Sequence, residues 1–297
     1  MPIRERLVNA LASRSKWVSS GGPKVLGAAI ALFAVGVALT VGDVPARSSL
    51  RMVWLVPAAL LSLATLVING YEFRIIAAFV GRKIGAWRSI RVSAMSSAAN
   101  VLPIPGAAIV KIQALRGEDV RFRPAASATA AVGLIWIGTG FILTAVLALF
   151  DGRTTFGAGC LAGAVACMAA AVILIPDRDA RIWRRVANVV VFEAAATGMT
   201  TVRLFTVAAV LGTGSGWTQA AALALIGILS TATGIFPGGL GIRELLSAAV
   251  AGFVGLDVSI AVLIAALDRI VSYATLGLVV AGIALADRSS RSEEPVS

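Results

Sequence analysis

Six charged residues sit inside stretches of this chain that are otherwise apolar: Glu193, Arg203, Arg243, Glu244, Asp268 and Arg269. A charge at the centre of a bilayer helix costs about 2.5–3.5 kcal/mol on insertion scales, so six unpaired ones would be prohibitive. They must face one another, water or a ligand. Arg203 falls near the middle of the apolar run 188–211, and Asp268-Arg269 near the middle of 258–285. Arg243 and Glu244 follow the Pro/Gly break GIFPGGLG at 234–241, whereas Glu193 lies nearer the end of its run. Three acids and three bases sum to zero, so one reading is a closed set of ion pairs that only fastens helices together.

The other reading starts from PGGLGIRE at 237–244. A helix beginning at this break has first-turn N–H groups without intrahelical partners and the positive end of its dipole. Gly238, Gly239 and Gly241 let a ligand approach the backbone without meeting a Cβ. Arg243 adds a guanidinium able to grip phosphate or carboxylate through two parallel hydrogen bonds. The sum is an anion-receptive corner, with Arg203 and Arg269 assisting and Glu244 and Asp268 orienting the arginines or accepting an amine. A fainter counterpart lies at NVLPIPG, 100–106, where Asn100, Pro103, Pro105 and Gly106 form the break. Lys111 follows within about a turn and a half; its alternative role is snorkelling to the interface.

Composition decides the surroundings of these residues. Of 297 residues, 58% are apolar and 14% charged, against roughly 25% charged in soluble domains. So much apolar surface requires lipid as solvent. Histidine is absent, which excludes Ser-His-Asp and Cys-His nucleophiles, imidazole metal sites and imidazole proton relays. Cys160 and Cys167 lie in one apolar run, where a single helix cannot bridge them. No G-x-x-x-x-G-K-[ST] loop is present, and no cofactor is expected. The net charge of +11 suits positive-inside topology, with no nucleic-acid partner implied.

Apolar runs long enough to span a bilayer fall at about 25–42, 52–70, 125–150, 155–175, 188–211 and 258–285. Two more, 88–116 and 217–254, are interrupted at the two Pro/Gly breaks, and their halves are too short to cross. They read as re-entrant hairpins shielded by other helices. The expected fold is all-α: about six spans plus two hairpins. Residues 1–24 form a basic cytoplasmic segment before an uncleaved anchor, 25–285 the membrane domain, and 286–297 a disordered tail.

With the N-terminus inside, the inner segments carry 20 Lys/Arg, the outer ones only Arg47, Arg51 and Arg153. Both termini then face the cytoplasm across the plasma membrane. The hairpins enter from opposite faces, and the sequences around them resemble each other: 74–87 can be laid over 204–217 with Trp87 on Trp217, and SAANVLP (97–103) over TATGIFP (231–237). Units 52–150 and 188–285, joined by a crossover at 155–175, therefore read as an inverted repeat, an arrangement that places transport sites near the midplane. Trp87, Trp136, Trp183 and Trp217 suit interface anchoring or packing, and Gly159-x-x-x-Gly163 a close helix contact. The basic stretches 82–91 and 178–185 enforce topology and can gather anionic headgroups.

PGGLGIRE resembles the second signature of the lysylphosphatidylglycerol synthase transmembrane-region family, a flippase-like membrane module. That family's first signature, similar to N-x-L-P-G-R-x-G-E-x-x-R, is matched here by Asn100, Leu102 and Pro103, with Lys111 where an arginine is expected; Pro105 and Ala108 replace the expected Arg and Glu. The resemblance implies a non-enzymatic protein moving an anionic, amino-acylated or lipid-linked headgroup between leaflets. Its partners would be membrane phospholipid, with a homo-oligomer or envelope-biosynthesis enzymes as further associates. Two other functions fit the residues: a non-transporting scaffold for lipid or envelope enzymes, and an intramembrane enzyme using Glu244 and Asp268 as paired carboxylates.

Overall fold

The computed structural model describes residues 51–100, 106–115, 122–175, 180–233 and 241–292. A short 3-10 turn, Met52–Trp54, leads into α1 (Leu55–Phe79), followed by α2 (Ala86–Ala99), α3 (Gly106–Leu115), α4 (Phe122–Phe150), α5 (Thr154–Leu174), α6 (Ala180–Val210), α7 (Trp217–Thr233), α8 (Ile242–Ala251) and α9 (Val258–Ser292). Among the described residues there is no strand. Five segments are long and apolar enough to cross a membrane: Met52–Phe79, Ala125–Phe150, Thr154–Leu174, Trp183–Val210 and Val258–Ile283. The chain is an all-α polytopic membrane protein.

These five segments coincide with five of the six expected spans; the run 25–42 lies outside the described residues. Two boundaries differ from expectation. Helix α1 continues past residue 70 to Phe79, because nothing in Tyr71-Glu72-Phe73-Arg74 breaks a helix. Helix α9 continues to Ser292, so the polar segment expected to be disordered is helical up to that residue. Ala284, Leu285 and Ala286, all good helix formers, carry the helix into it.

Helices α1 and α6 end in the same way. Gly81 (φ +76°) and Gly212 (φ +68°) take the left-handed conformation that other residues avoid. Arg82 N–H then donates to Ala77 O at 2.9 Å, and Thr213 N–H to Ala208 O at 3.2 Å, the 6→1 closure of a left-handed helix cap. The two helices lie against each other and run antiparallel. Arg51 N–H donates to Val210 O at 2.9 Å, beside the start of one and the end of the other. At the opposite end Arg185 Nη1 donates to Ala78 O at 2.7 Å.

Around this pair the order long, short, short, long occurs twice, as α1–α4 and α6–α9. Packing between the sets is reciprocal: α4 touches α6 and α7, just as α9 touches α1 and α2. Helix α5 packs chiefly on α4. Within each set the two short helices pack on one another. Ser96 Oγ donates to Ala107 O, and Ala107 N–H to Asn100 Oδ1, each at 3.2 Å, closing the mouth between α2 and α3.

Two apolar cores flank the α1–α6 contact, each drawing residues from both sets. One gathers Phe73, Ile76, Leu115, Val132, Ile135 and Val189; the other gathers Leu204, Val207, Leu223, Ala251, Ala261 and Ile264. Phe150, Ile173, Val191 and Leu278 point outward and are strongly exposed, which suits a hydrocarbon solvent rather than water. Close helix approach uses glycine, though not at the expected pair. A Cβ on Gly163 would come within 3.0 Å of the Phe141 ring, whereas Gly159 faces open space. The tightest contact is at Gly70, where a Cβ would lie 2.6 Å from Ile90 Cγ1 and 3.0 Å from Ile90 Cα.

Candidate functional site

The charged residues do not form one closed set. They form two groups, about three helical turns apart along the α1–α6 contact.

The first group is built on Asp268 of α9, which is fully buried. Its Oδ1 accepts from Arg203 Nε at 2.6 Å; its Oδ2 accepts from Arg203 Nη2 at 3.3 Å and from Arg243 Nη2 at 2.7 Å. Arg203 also points Nη1 at Ser62 Oγ of α1, 3.4 Å away. Successive residues on a helix face different directions, so Arg269 turns from the neighbours of Asp268 towards the start of α8. There its Nη1 lies 2.9 Å from Glu244 Oε1. Glu244 Oε2 accepts Gly241 N–H at 2.9 Å, fastening the first turn of α8. Among the described residues, three guanidiniums thus share two carboxylates, a formal surplus of one positive charge.

Arg243 lies against Gly227 of α7, where a Cβ would make ordinary contact with the guanidinium carbon at 3.5 Å. Its Nε is buried and makes no hydrogen bond to any described residue. Arg203 and Tyr273 line a cavity of about 190 Å³. Asn69, Ser97, Asn100 and Thr231 line it too, and the same four residues line a second cavity of about 270 Å³. The two spaces adjoin where α2 and α7 approach their C-terminal ends.

The second group lines that larger cavity. Glu72 of α1 and Glu193 of α6 are both buried, at 4% and 3% exposure, and share its wall. Lys111 of α3 places Nζ 3.6 Å from Glu72 Oε1. Two carboxyl groups and one ammonium give this end the opposite formal balance to the arginine end.

No family model matches the chain, and no curated protein matches it.

Of the ten expected binding residues, Arg203, Arg243, Glu244, Asp268 and Arg269 come together, with Gly241 at their edge. Asn100 lines both cavities, but its side-chain oxygen is engaged by α3. Lys111 belongs to the acidic group and pairs with Glu72 rather than snorkelling alone. Gly238 and Gly239 lie outside the described residues. Gly241 is described, and its N–H is already given to Glu244, so this amide is not an open anion donor. Glu193 joins Glu72, not the arginines. Sequence reasoning missed Glu72 and Tyr273. Glu72 was discoverable: extending the span 52–70 by two turns of helical periodicity places an acid within it. Two arginines in the basic stretches also have local tasks. Arg82 Nη1 donates to Ala114 O and Leu115 O, and Arg185 to Ala78 O, so both hold carbonyls at helix ends.

Proposed function

We propose that this chain is a lipid translocase of the plasma membrane, passing an anionic, amino-acylated or lipid-linked headgroup through the polar space between its two helix sets. The observation that carries this reading is the surplus of guanidinium over carboxylate at Arg203, Arg243 and Arg269, beside a cavity in the core of a membrane protein. Asp268 acts as a resident counter-ion shared by two arginines, so the empty site does not leave isolated charges in a low dielectric. An incoming phosphate also offers two oxygens to a guanidinium, and takes over one arginine while Asp268 keeps the other. Acyl chains remain in the bilayer, and only the headgroup needs polar company.

Three further points support the reading. The two helix sets are taken as inverted copies, with the hairpins α2–α3 and α7–α8 entering from opposite faces, an arrangement suited to alternating access. The excess of 20 inner over 3 outer Lys/Arg is taken to put both termini in the cytoplasm. PGGLGIRE resembles the signature of the lysylphosphatidylglycerol synthase transmembrane-region family, although Pro105 and Ala108 depart from its first motif.

One observation favours the scaffold reading instead: both oxygens of Asp268 are occupied and none of it is exposed. A purely structural lattice would look like this when saturated.

Proteoliposomes carrying headgroup-labelled fluorescent phospholipid separate the two. A membrane-impermeant reductant bleaches only outer-leaflet label unless lipid crosses. A translocase bleaches the inner pool as well, at least tenfold faster than protein-free vesicles, and Arg243→Ala removes most of that gain. Wild-type rates equal to those of empty vesicles, for anionic and zwitterionic labels alike, contradict the proposal.

A further inference from the structure

We infer that the cavity between Glu72, Glu193 and Lys111 is a proton-binding site, one proton being shared by the two carboxyl groups. The site deepens the translocase reading by naming a coupling ion, but its existence does not depend on that reading.

The geometry is specific. The two acids come from different helices, α1 and α6, and are both more than nine-tenths buried. Both lie on the wall of one cavity of about 270 Å³. Glu72 Oε1 is buried and accepts no hydrogen bond among the described residues. Its nearest cation, the Lys111 ammonium at 3.6 Å, lies beyond hydrogen-bonding distance. Two carboxylates against one ammonium leave an excess negative charge in the protein interior, where an uncompensated charge is costly. A proton between the carboxyls removes that excess and turns two repelling acceptors into a donor and an acceptor.

A proton fits better than a metal cation. Lys111 already occupies the cation side of Glu72, so a metal ion would sit against an ammonium. A proton needs neither volume nor a coordination shell. Among the described residues, the titratable groups lining the cavity are these three alone: Glu72 from α1, Glu193 from α6 and Lys111 from α3. The other elements packed there present neutral polar groups, Ser93 and Ser96 from α2, Thr129 from α4 and Thr231 from α7. Asp268 and the arginines stand about 15 Å away along the helix axis.

Lys111 gives the proton something to do. It sits on α3, the second half of the first short-helix pair. With the acid pair unprotonated, Lys111 is held to Glu72 by attraction; with the proton bound, that hold weakens and α3 is freer to shift. Proton occupancy and the position of α3 are therefore linked, and buried acids that link charge to motion are a recurrent device of membrane transporters.

Infrared spectroscopy of the full-length protein in nanodiscs tests the site directly. A protonated-carboxyl C=O band that titrates with pH is expected in wild type. It should be lost in Glu72→Gln and in Glu193→Gln, each checked for folding by thermal unfolding. Glu193→Asp, which keeps the acid, should retain a shifted band and serves if a glutamine variant does not fold. An unchanged band in folded Gln variants overturns the inference, as does a wild-type band that disappears on adding sodium at constant pH. In the proteoliposome assay an imposed pH gradient should change the wild-type translocation rate at least threefold and leave Glu193→Gln unaffected. A Glu-dependent band without lipid movement supports the proton site while the translocase reading fails. Lipid movement indifferent to the gradient, with no Glu-dependent band, does the reverse.

Discussion

Glu72 and Arg203 stand at the same place in two different helices: each lies nine residues before the left-handed glycine that ends its helix, Gly81 for α1 and Gly212 for α6. The same spacing sets Ser62 in α1 against Glu193 in α6. Because the helices are antiparallel, these four residues make two levels of one contact, Arg203 beside Ser62 at one and Glu72 and Glu193 on a shared cavity wall at the other. Position is shared, and charge is opposite. One end of the polar interior is thereby suited to an anion and the other to a cation, with Asn69, Ser97, Asn100 and Thr231 between them.

Removing the shared counter-ion should be the most damaging single change. Asp268→Asn leaves Arg203 and Arg243 buried without the anion that both contact. Breaking a buried pair from one side costs about 3–5 kcal/mol. Thermal unfolding in detergent should show a large drop in midpoint, and the double change Asp268→Asn with Arg203→Met should recover part of it. No drop would mean that the pairs contribute nothing to stability.

Arg243 packs against Gly227. A Cβ there sits at an ordinary contact distance, so Gly227→Ala should fold and bind as wild type does; Gly227→Leu would occupy the guanidinium's space. The leucine variant should behave like Arg243→Ala in lipid retention while keeping its thermal midpoint closer to wild type than Asp268→Asn does.

Helices α1 and α2 meet at Gly70 with no room for a methyl group, since the obstacle includes the Ile90 backbone. Gly70→Ala should therefore cost about 1–3 kcal/mol, the range for overpacking. Gly133→Ala, with open space around its Cβ position, is the matched control and should be near neutral or slightly stabilising, because alanine is the better helix former. Equal midpoints for the two variants would show that the α1–α2 contact is looser than described.

Orientation can be read with single cysteines placed in a Cys160→Ala, Cys167→Ala background. Asp151→Cys and Gly214→Cys should react with an impermeant maleimide applied to intact cells. Lys83→Cys should react only after permeabilisation. The opposite pattern would invert the proposed topology, and labelling of all three from outside would contradict it.

What the sequence made legible follows from which signals are local. Long apolar runs identify spans one helix at a time, and five of them needed no tertiary information. Arg203, Arg243, Glu244, Asp268 and Arg269 stood out because each sits in an apolar stretch. Their partners did not, because pairing depends on helix rotation and packing that no single segment encodes. Glu193 was grouped with the arginines for that reason, although it meets Glu72. Glu72 escaped notice because a charged tetrapeptide after residue 70 looks like the end of a span. The register between the two halves was offset as well. Matching Trp87 to Trp217 misses by one: the connections 80–85 and 211–216 have equal length and bring Gly81 onto Gly212, and Trp87 is the second residue of α2 whereas Trp217 is the first of α7. Trp217 stacks on Phe205 with ring centroids 4.2 Å apart, a local packing role that a match by residue type cannot detect.

The most direct test is native mass spectrometry of lipids retained after mild detergent extraction, comparing wild type with Arg243→Ala. The variant must keep a cooperative thermal transition for the comparison to count. One anionic lipid class retained at least tenfold more strongly by wild type is the result expected of a headgroup site at Arg243. Equal, unselective retention by two folded proteins would contradict it and leave the arginine cluster as structural fastening.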